Sequence, residues 1–247
     1  MTPAAGKFPR ALIYVMMALV IITMVLARFH YRRENRAVDP RIVPARKLYE
    51  GYNALAAAND YAGVINLLDT IEHIYRQIPH YAGSFEICVL ENNRAAVYLT
   101  LGLSYDSLSS PFHFMGQDSL MALGESAARK SISGYEEWQK RYEGKDERAI
   151  RQAVQSGFGT GFEPYLDNRI GEITKAIEET PRRLSVSYTN LGLAYRYRED
   201  YQEAASCYQQ AIDLWEDNLT AENNLNILLG RPLKKRNFLQ KMFPKSK

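Results

Sequence analysis

The residue types that most often perform chemistry occur in this chain, but their spacing forms no recognised catalytic or metal-binding pattern. The four histidines are scattered and form no metal-ligand motif; they are His30, His73, His80 and His113. The sequence contains no His-Glu-x-x-His, Gly-x-Ser-x-Gly or Cys-x-x-Cys motif. We therefore expect a protein that is not an enzyme, with no catalytic residue, no cofactor and no metal.

A glycine-rich stretch at residues 157–162 invites comparison with a phosphate-binding loop. It reads Gly-Phe-Gly-Thr-Gly-Phe, lacks the Gly-Lys-Ser/Thr ending and follows no predicted strand. We interpret it as a joint between helices whose phenylalanines pack. The two cysteines, Cys88 and Cys207, each lie among apolar neighbours, which favours buried thiols. A disulfide between them remains open, and so does the redox compartment.

The elements around these residues are predicted to be helices. Hydrophobic residues make up 46% of the chain and charged residues 24%, as in a folded domain. The net charge of +3 is too small to indicate a nucleic-acid partner, and nothing suggests a small-molecule substrate. From residue 44 to 230 the apolar spacing is helical and no segment alternates like a strand. The fold class is therefore all-α, with helices near 164–179 and 184–198 among the predicted elements.

The N-terminal region predicts a membrane anchor. The run from Ala11 to Ala27 contains no charge, proline or glycine, and as a helix it is about as long as a bilayer core is thick. A cleaved signal peptide is the alternative, but no small-x-small site follows the run. The expected organisation is a tail at 1–10, a transmembrane helix at 11–27, a linker at 28–43 and a helical domain at 44–230.

Positive charges near the apolar run give a weak indication of orientation. Two basic side chains precede the run, whereas five arginines follow it within the linker; they are Arg28, Arg32, Arg33, Arg36 and Arg41. The positive-inside rule then favours a single-pass protein of the cell membrane with its helical domain in the cytoplasm. The periplasmic or extracellular side remains open.

The strongest motif lies between residues 188 and 211. Large, small and aromatic residues recur there at three- and four-residue spacing on two helices joined by the turn Glu199-Asp200-Tyr201; they are Tyr188, Leu191, Gly192, Tyr195, Ala204, Tyr208 and Ala211. This pattern resembles the tetratricopeptide repeat, although the closing proline of that family is absent. Gly192 and Ala204 would let the two helices approach closely.

Further segments fit the same repeat. The pair Asn190-Leu191 recurs as Asn224-Leu225, a shift of 34 residues that equals the repeat period. Residues 92–102 are similar to the first helix of a repeat, and residues 51–61 are a weaker match. The resemblance implies a tetratricopeptide-like α-solenoid of helix-turn-helix pairs across 44–230, attached to one transmembrane helix.

The resemblance also implies a concave face, lined by the first helix of each pair, that binds a protein or peptide. The expected groove residues are Asn93, Thr189, Leu193, Arg196 and Tyr197. Asn93 matches an asparagine with which some family members grip a C-terminal carboxylate. Leu48 and Tyr52 stand where the other gripping residues are expected, so the sequence does not support that clamp.

Two segments depart from the repeat pattern. The insert 104–118 contains an apolar cluster, Phe112, Phe114 and Met115, which either contacts a partner or membrane or folds back over the adjoining helices. The tail 231–247 mixes apolar residues with seven positive side chains, which suits a solvated end-cap, an anionic lipid surface or an acidic partner.

The function expected from these features is that of a membrane-anchored scaffold or adaptor that mediates protein–protein interaction without catalysis. The alternative is a structural subunit of a larger membrane or cell-envelope complex. The sequence does not identify the partner or the oligomeric state.

Overall fold

The computed structural model describes residues 10–36, 38–105, 112 and 114–235, and in the first helix it describes side chains only from 14 to 28. The described chain is helical and contains no strand, which confirms the all-α prediction. The helices are α1 (Arg10–Arg36), α2 (Val43–Tyr49), α3 (Tyr52–Ala57), α4 (Tyr61–Arg76), α5 (Phe85–Leu103), α6 (Gln117–Tyr142), α7 (Glu147–Val154), α8 (Leu166–Tyr197), α9 (Tyr201–Leu214) and α10 (Leu219–Leu228).

The predicted transmembrane run lies inside α1. Within the described part of the chain, no helix combines the length and the apolar character that crossing a membrane requires. The assignment of residues 11–27 to a membrane span therefore stays a prediction.

Two turns of the helical domain share one geometry, which reveals the repeat in three dimensions. Asn59 precedes α4 and Glu199 precedes α9, and both have positive φ angles, 56° and 63°. The next amide in each turn donates to a carbonyl five residues back, from Asp60 to Leu55 and from Asp200 to Tyr195, both at 3.0 Å. The pairs α2–α3/α4 and α8/α9 are therefore closed by the same turn.

Close packing joins the two helices of the second pair, α5 and α6. A Cβ atom placed on Gly124 of α6 would lie 2.7 Å from Cγ of Leu99 on α5, and one on Gly134 would lie 2.9 Å from Sγ of Cys88. The contacts run in opposite chain directions, so the helices are antiparallel. The third pair, α8 and α9, is also antiparallel, because Gly192 contacts Tyr208 while Ser185, earlier in α8, donates to the carbonyl of Ala211, later in α9, at 2.6 Å.

Helix α8 differs from the expectation. Two helices separated at Pro181 were predicted, but α8 runs without interruption for 32 residues. Proline removes one backbone hydrogen bond and ordinarily costs about 3 kcal/mol inside a helix. Here the two halves of α8 lie in different cores, with Ile170 and Ile173 in one, and Leu184 and Leu191 in the other. Burial of both apolar faces outweighs the local preference for a break.

Smaller differences occur at the first pair, the insert and the tail. The predicted helix near 44–58 is divided into α2 and α3 by a tight turn at Gly51, whose amide donates to the carbonyl of Leu48 at 3.0 Å. In the insert, residues 106–111 and 113 lie outside the described residues, as do residues 236–247 of the tail.

The contact between Gly192 and Tyr208 predicts a stability effect. In Gly192→Ala the new Cβ would lie 2.6 Å from Cε1 of Tyr208, which is completely buried, so we expect the free energy of unfolding to fall by about 1–3 kcal/mol. The matched control is Gly171→Ala in the same helix, where no neighbouring atom lies within 4 Å. That change should raise the free energy of unfolding by about 0.5–1 kcal/mol. Urea denaturation measures both, and effects of the same sign would contradict the packing described here.

Candidate partner-binding cleft

A cleft of about 340 Å³ opens between α2, the end of α4, α5 and α8, and the wall that α8 contributes lies mainly in its N-terminal half (residues 166–181). Apolar side chains form much of its lining; they are Tyr49, Tyr75, Phe85, Val89, Leu90 and Ala176. Charged side chains surround them; they are Arg46, Glu86, Glu172, Lys175, Glu179 and Arg183. We call this feature the cleft. An apolar lining beside ordered charges is the usual composition of a protein recognition site.

The charges at the cleft are held in place by ion pairs. Arg46 of α2 pairs with Glu172 of α8, which ties two walls together. Arg183 pairs with Glu179 at 2.5 Å, and the Lys175 ammonium lies 4.0 Å from the same carboxylate. Lys175 remains 76% exposed, so its ammonium is the charge most accessible to a partner.

A buried cation fixes the N-terminal half of α8 against α5. The Arg169 side chain is 2% exposed, makes two hydrogen bonds to the carboxylate of Glu86 and one of 3.1 Å to Glu172. Its guanidinium also lies 4.0 Å from the ring centroid of Tyr81, a cation–π contact. Burial by itself would raise the pKa of Glu86, but the charge and hydrogen bonds of Arg169 outweigh it and lower that pKa. Both groups therefore remain charged at neutral pH.

Asn93 lies at the edge of the cleft. Its Nδ2 donates to the Tyr49 hydroxyl at 2.7 Å, and the Tyr49 ring stacks on Tyr52 with centroids 5.5 Å apart. Farther along, Asn190 Nδ2 donates to Asn92 Oδ1 at 3.0 Å. Helices α5 and α8 therefore pack against each other, and side chains of α2 reach both of them through Tyr49 and Arg46.

Comparison with known proteins identifies one segment of this arrangement. Residues 185–218 match the family model of the tetratricopeptide repeat. The matched segment comprises the C-terminal half of α8 and all of α9, and it supports the tetratricopeptide family for the chain. No curated protein and no solved structure matched the chain.

Thr189, another predicted groove residue, lies within the matched repeat but does not line the cleft. Thr189 is buried, donates to the carbonyl of Ser185 at 2.8 Å and accepts from Nδ2 of Asn218 at 2.9 Å. Its hydroxyl is used inside the repeat, between α8 and the start of α10. Thr189 is therefore engaged within the fold, and its partner role stays a prediction.

Leu193, Arg196 and Tyr197 lie near the C-terminal end of α8, away from the cleft. Leu193 and Tyr197 pack against a small core formed with α5 and α6, and the Tyr197 hydroxyl donates to Asp118 at 2.7 Å. Arg196 donates to Asn224 of α10 at 3.0 Å. These contacts join neighbouring helices, and a partner role for the three residues stays a prediction.

In the apolar cluster of the insert, two side chains pack against the core and one is exposed to solvent. Phe112 lies 6.5 Å from the ring of Tyr98, and Phe112 and Met115 both pack against the core. Phe114 is 69% exposed. Phe112 and Met115 therefore pack against the helical core, and the partner or membrane contact predicted for the cluster stays a prediction.

The described histidines, cysteines and acidic residues were candidates for a metal site. No three of these described residues form a group that could hold a metal ion. Cys88 and Cys207 are free and buried, and burial raises the thiol pKa to about 12 and about 11. In the glycine-rich stretch, Phe158 is buried and Phe162 packs against the core, with the Arg41 guanidinium 4.1 Å from the centroid of the Phe162 ring.

The ion pair that supports the cleft wall was not predicted from the sequence. Arg169 falls on the apolar stripe of α8 between Leu166, Ile170 and Ile173, all of which are buried. A cation at a core position is a signal that an anion lies nearby, because buried charges are almost always paired. That anion is Glu86, which lies 83 residues away in the chain. Which anion pairs with Arg169 therefore depends on the tertiary fold.

The ion pair between Arg169 and Glu86 predicts a large loss of stability on removal of one partner. Glu86→Gln removes the carboxylate that makes two of the hydrogen bonds of Arg169 and leaves the buried cation with Glu172 as its remaining anion, so we expect the free energy of unfolding to fall by up to roughly 3–5 kcal/mol. The control is Asp167→Asn, which breaks the exposed pair with Arg151 and should cost less than about 1 kcal/mol. Chemical denaturation distinguishes the two, and similar small losses would contradict the role given to Arg169.

Proposed function

We propose that this protein is a membrane-anchored adaptor that binds a segment of a partner protein in the cleft between α2, α5 and α8. The carrying observation is the cleft itself, which combines an apolar lining, an accessible Lys175 and a rigid set of ion pairs. The tetratricopeptide match at residues 185–218 supports this class of function, because such repeats generally bind protein partners.

The dimensions and chemistry of the cleft favour a peptide as the bound segment. Its volume of about 340 Å³ accommodates a few side chains, and Tyr49, Phe85 and Val89 offer apolar contact. Aromatic residues contribute strongly to binding energy because they bury a large area while few rotatable bonds are fixed. The exposed ammonium of Lys175 would favour a peptide that carries a carboxylate beside its apolar anchor.

The anchor proposal rests on the side chains of α1. Apolar side chains of this helix are 47–68% exposed in every direction around its axis; they are Tyr14, Val15, Met16, Met17, Leu19, Val20, Ile21, Ile22, Met24, Val25 and Leu26. A helix that is apolar all round requires burial in protein or lipid. The Thr23 hydroxyl donates to the carbonyl of Leu19 at 2.8 Å, which satisfies a polar group that lipid would leave unpaired. The arginines that follow the run favour a cytoplasmic domain.

A charge reversal tests the cleft. In Tyr49→Ala with Lys175→Glu, the aromatic contact is removed and the accessible cation becomes an anion, so partner recovery should fall at least tenfold. The partner is collected with the full chain from detergent-solubilised membranes and quantified by mass spectrometry. The matched control is Lys140→Glu on α6, which makes the same charge change at an exposed position outside the cleft.

The outcomes separate the candidate functions. Exchangeable partners that the cleft variant loses and the control retains would support an adaptor. A single stoichiometric complex that survives the cleft substitutions would instead indicate a structural subunit of a larger assembly. Retention of the same partners by both variants would contradict binding in the cleft.

A fractionation experiment tests the anchor. The full chain should remain with membranes after alkaline carbonate washing, because the apolar surface of α1 would be buried in lipid. A variant with Val20→Arg and Ile21→Arg should be released, because two charges at the centre of a span are costly. Protease protection in sealed vesicles then determines the side of the helical domain. Release of the unaltered chain by carbonate would contradict the anchor.

A further inference from the structure

The segment that follows α10 is bound to that helix in an unusual way. The chain reverses at Gly230, whose φ is +65°, and the Arg231 amide donates to the carbonyl of Asn226 at 2.8 Å. Residues 231–235 then run back along α10 without forming a helix or turn. At Lys234, the backbone amide donates to Asn223 Oδ1 at 2.8 Å, while Asn223 Nδ2 donates to the Lys234 carbonyl at 3.0 Å.

This pair of hydrogen bonds selects for an extended backbone. The N–H and C=O groups of one residue point to the same side only when that residue is extended, so that one carboxamide can bind both. The arrangement reproduces the exchange of two hydrogen bonds between paired residues of an antiparallel sheet. Because Asn223 contacts only backbone atoms in this pair, it can hold an extended segment with any residue except proline at this position.

A second contact adds preference for a basic residue. The Lys234 ammonium pairs with the carboxylate of Glu222, the residue that precedes Asn223. An extended peptide whose backbone occupies the Asn223 carboxamide would therefore gain an ion pair if it carried lysine or arginine at that position. Asn223 thus binds the backbone of residue 234, and Glu222 binds the charged side chain of the same residue.

The segment covers this surface incompletely. Lys234 remains 64% exposed and Leu233 56% exposed, so the contact with α10 is shallow. Ile227 and Leu229 near the end of α10 are also left 52% and 49% exposed. A longer peptide with an apolar side chain beside its basic residue could cover these positions better than residues 231–235 do.

We propose that Asn223, Glu222 and Ile227 form a second peptide-binding surface, distinct from the cleft, that takes an extended partner segment with adjacent basic and apolar residues. Residues 231–235 occupy this surface in the free chain as a tethered competitor. Tethering gives the segment a high effective concentration, so a partner must displace it. The proposal stands on contacts of α10 and does not depend on peptide binding in the cleft.

The test frees the surface in the full chain and probes it with a labelled peptide of the sequence Arg-Pro-Leu-Lys-Lys. Lys234→Pro removes the amide donor and the ammonium from the tethered segment and leaves α10 unchanged. In neutral detergent, fluorescence anisotropy should show at least tenfold tighter binding of the peptide to Lys234→Pro than to the unaltered chain. Circular dichroism checks that the helical content is retained.

Two additional variants decide whether Asn223 and Glu222 form the site. Addition of Asn223→Ala to Lys234→Pro should remove the tenfold gain, whereas addition of Asn66→Ala, at an exposed asparagine of α4, should preserve it. A peptide with Glu in place of its first Lys should bind at least tenfold more weakly. Equal binding to the unaltered and Lys234→Pro chains, or binding that survives Asn223→Ala, would overturn the proposal.

Discussion

Arg169 carries a positive charge into a part of the fold that has almost no contact with water. Such a charge is tolerated only when it is paired and hydrogen-bonded. Glu86, Glu172 and the Tyr81 ring contact the terminal part of the guanidinium, while its Nε atom is buried without a hydrogen bond from the described residues. Glu86 stands at the start of α5 and Arg169 in the N-terminal half of α8, so their pairing fixes one helix against the other. The cleft exists between these elements, and its shape therefore depends on this ion pair.

Because α8 is one continuous helix, the ion pair between Arg169 and Glu86 also affects the position of the repeat. The N-terminal half of the helix forms a cleft wall, and the C-terminal half is the first helix of the matched tetratricopeptide repeat. A helix is stiff along its axis, so the position of the wall is coupled to the packing of the repeat through Pro181. The position of the wall is thus set by two cores, and a bound partner would meet a preformed surface with little ordering cost.

The sequence predicted much of the helical domain because its repeats follow a local rule. A small residue such as Gly192 and the turns at Asn59 and Glu199 can be recognised from a few neighbouring residues. The structure confirms the close helix contact at Gly192 and the two turns. The continuity of α8 could not be predicted, because the local cost of Pro181 is visible in sequence while the compensating burial is not. The ion pair that supports the cleft was not predicted for a similar reason, since Arg169 and Glu86 are far apart in the chain. Thr189 is a similar case, because the hydrogen bond that its hydroxyl accepts from Asn218 joins residues 29 positions apart and could not be predicted from the local pattern.

Photo-crosslinking in intact cells tests the central claim most directly. A photoreactive amino acid placed at Val89 or Lys175 projects from two different helices into the same cleft, whereas one placed at Lys140 lies on α6 outside it. The account predicts that the two cleft positions yield an adduct with the same partner protein and that position 140 does not. Adducts with a common partner at position 140, with none from either cleft position, would contradict it.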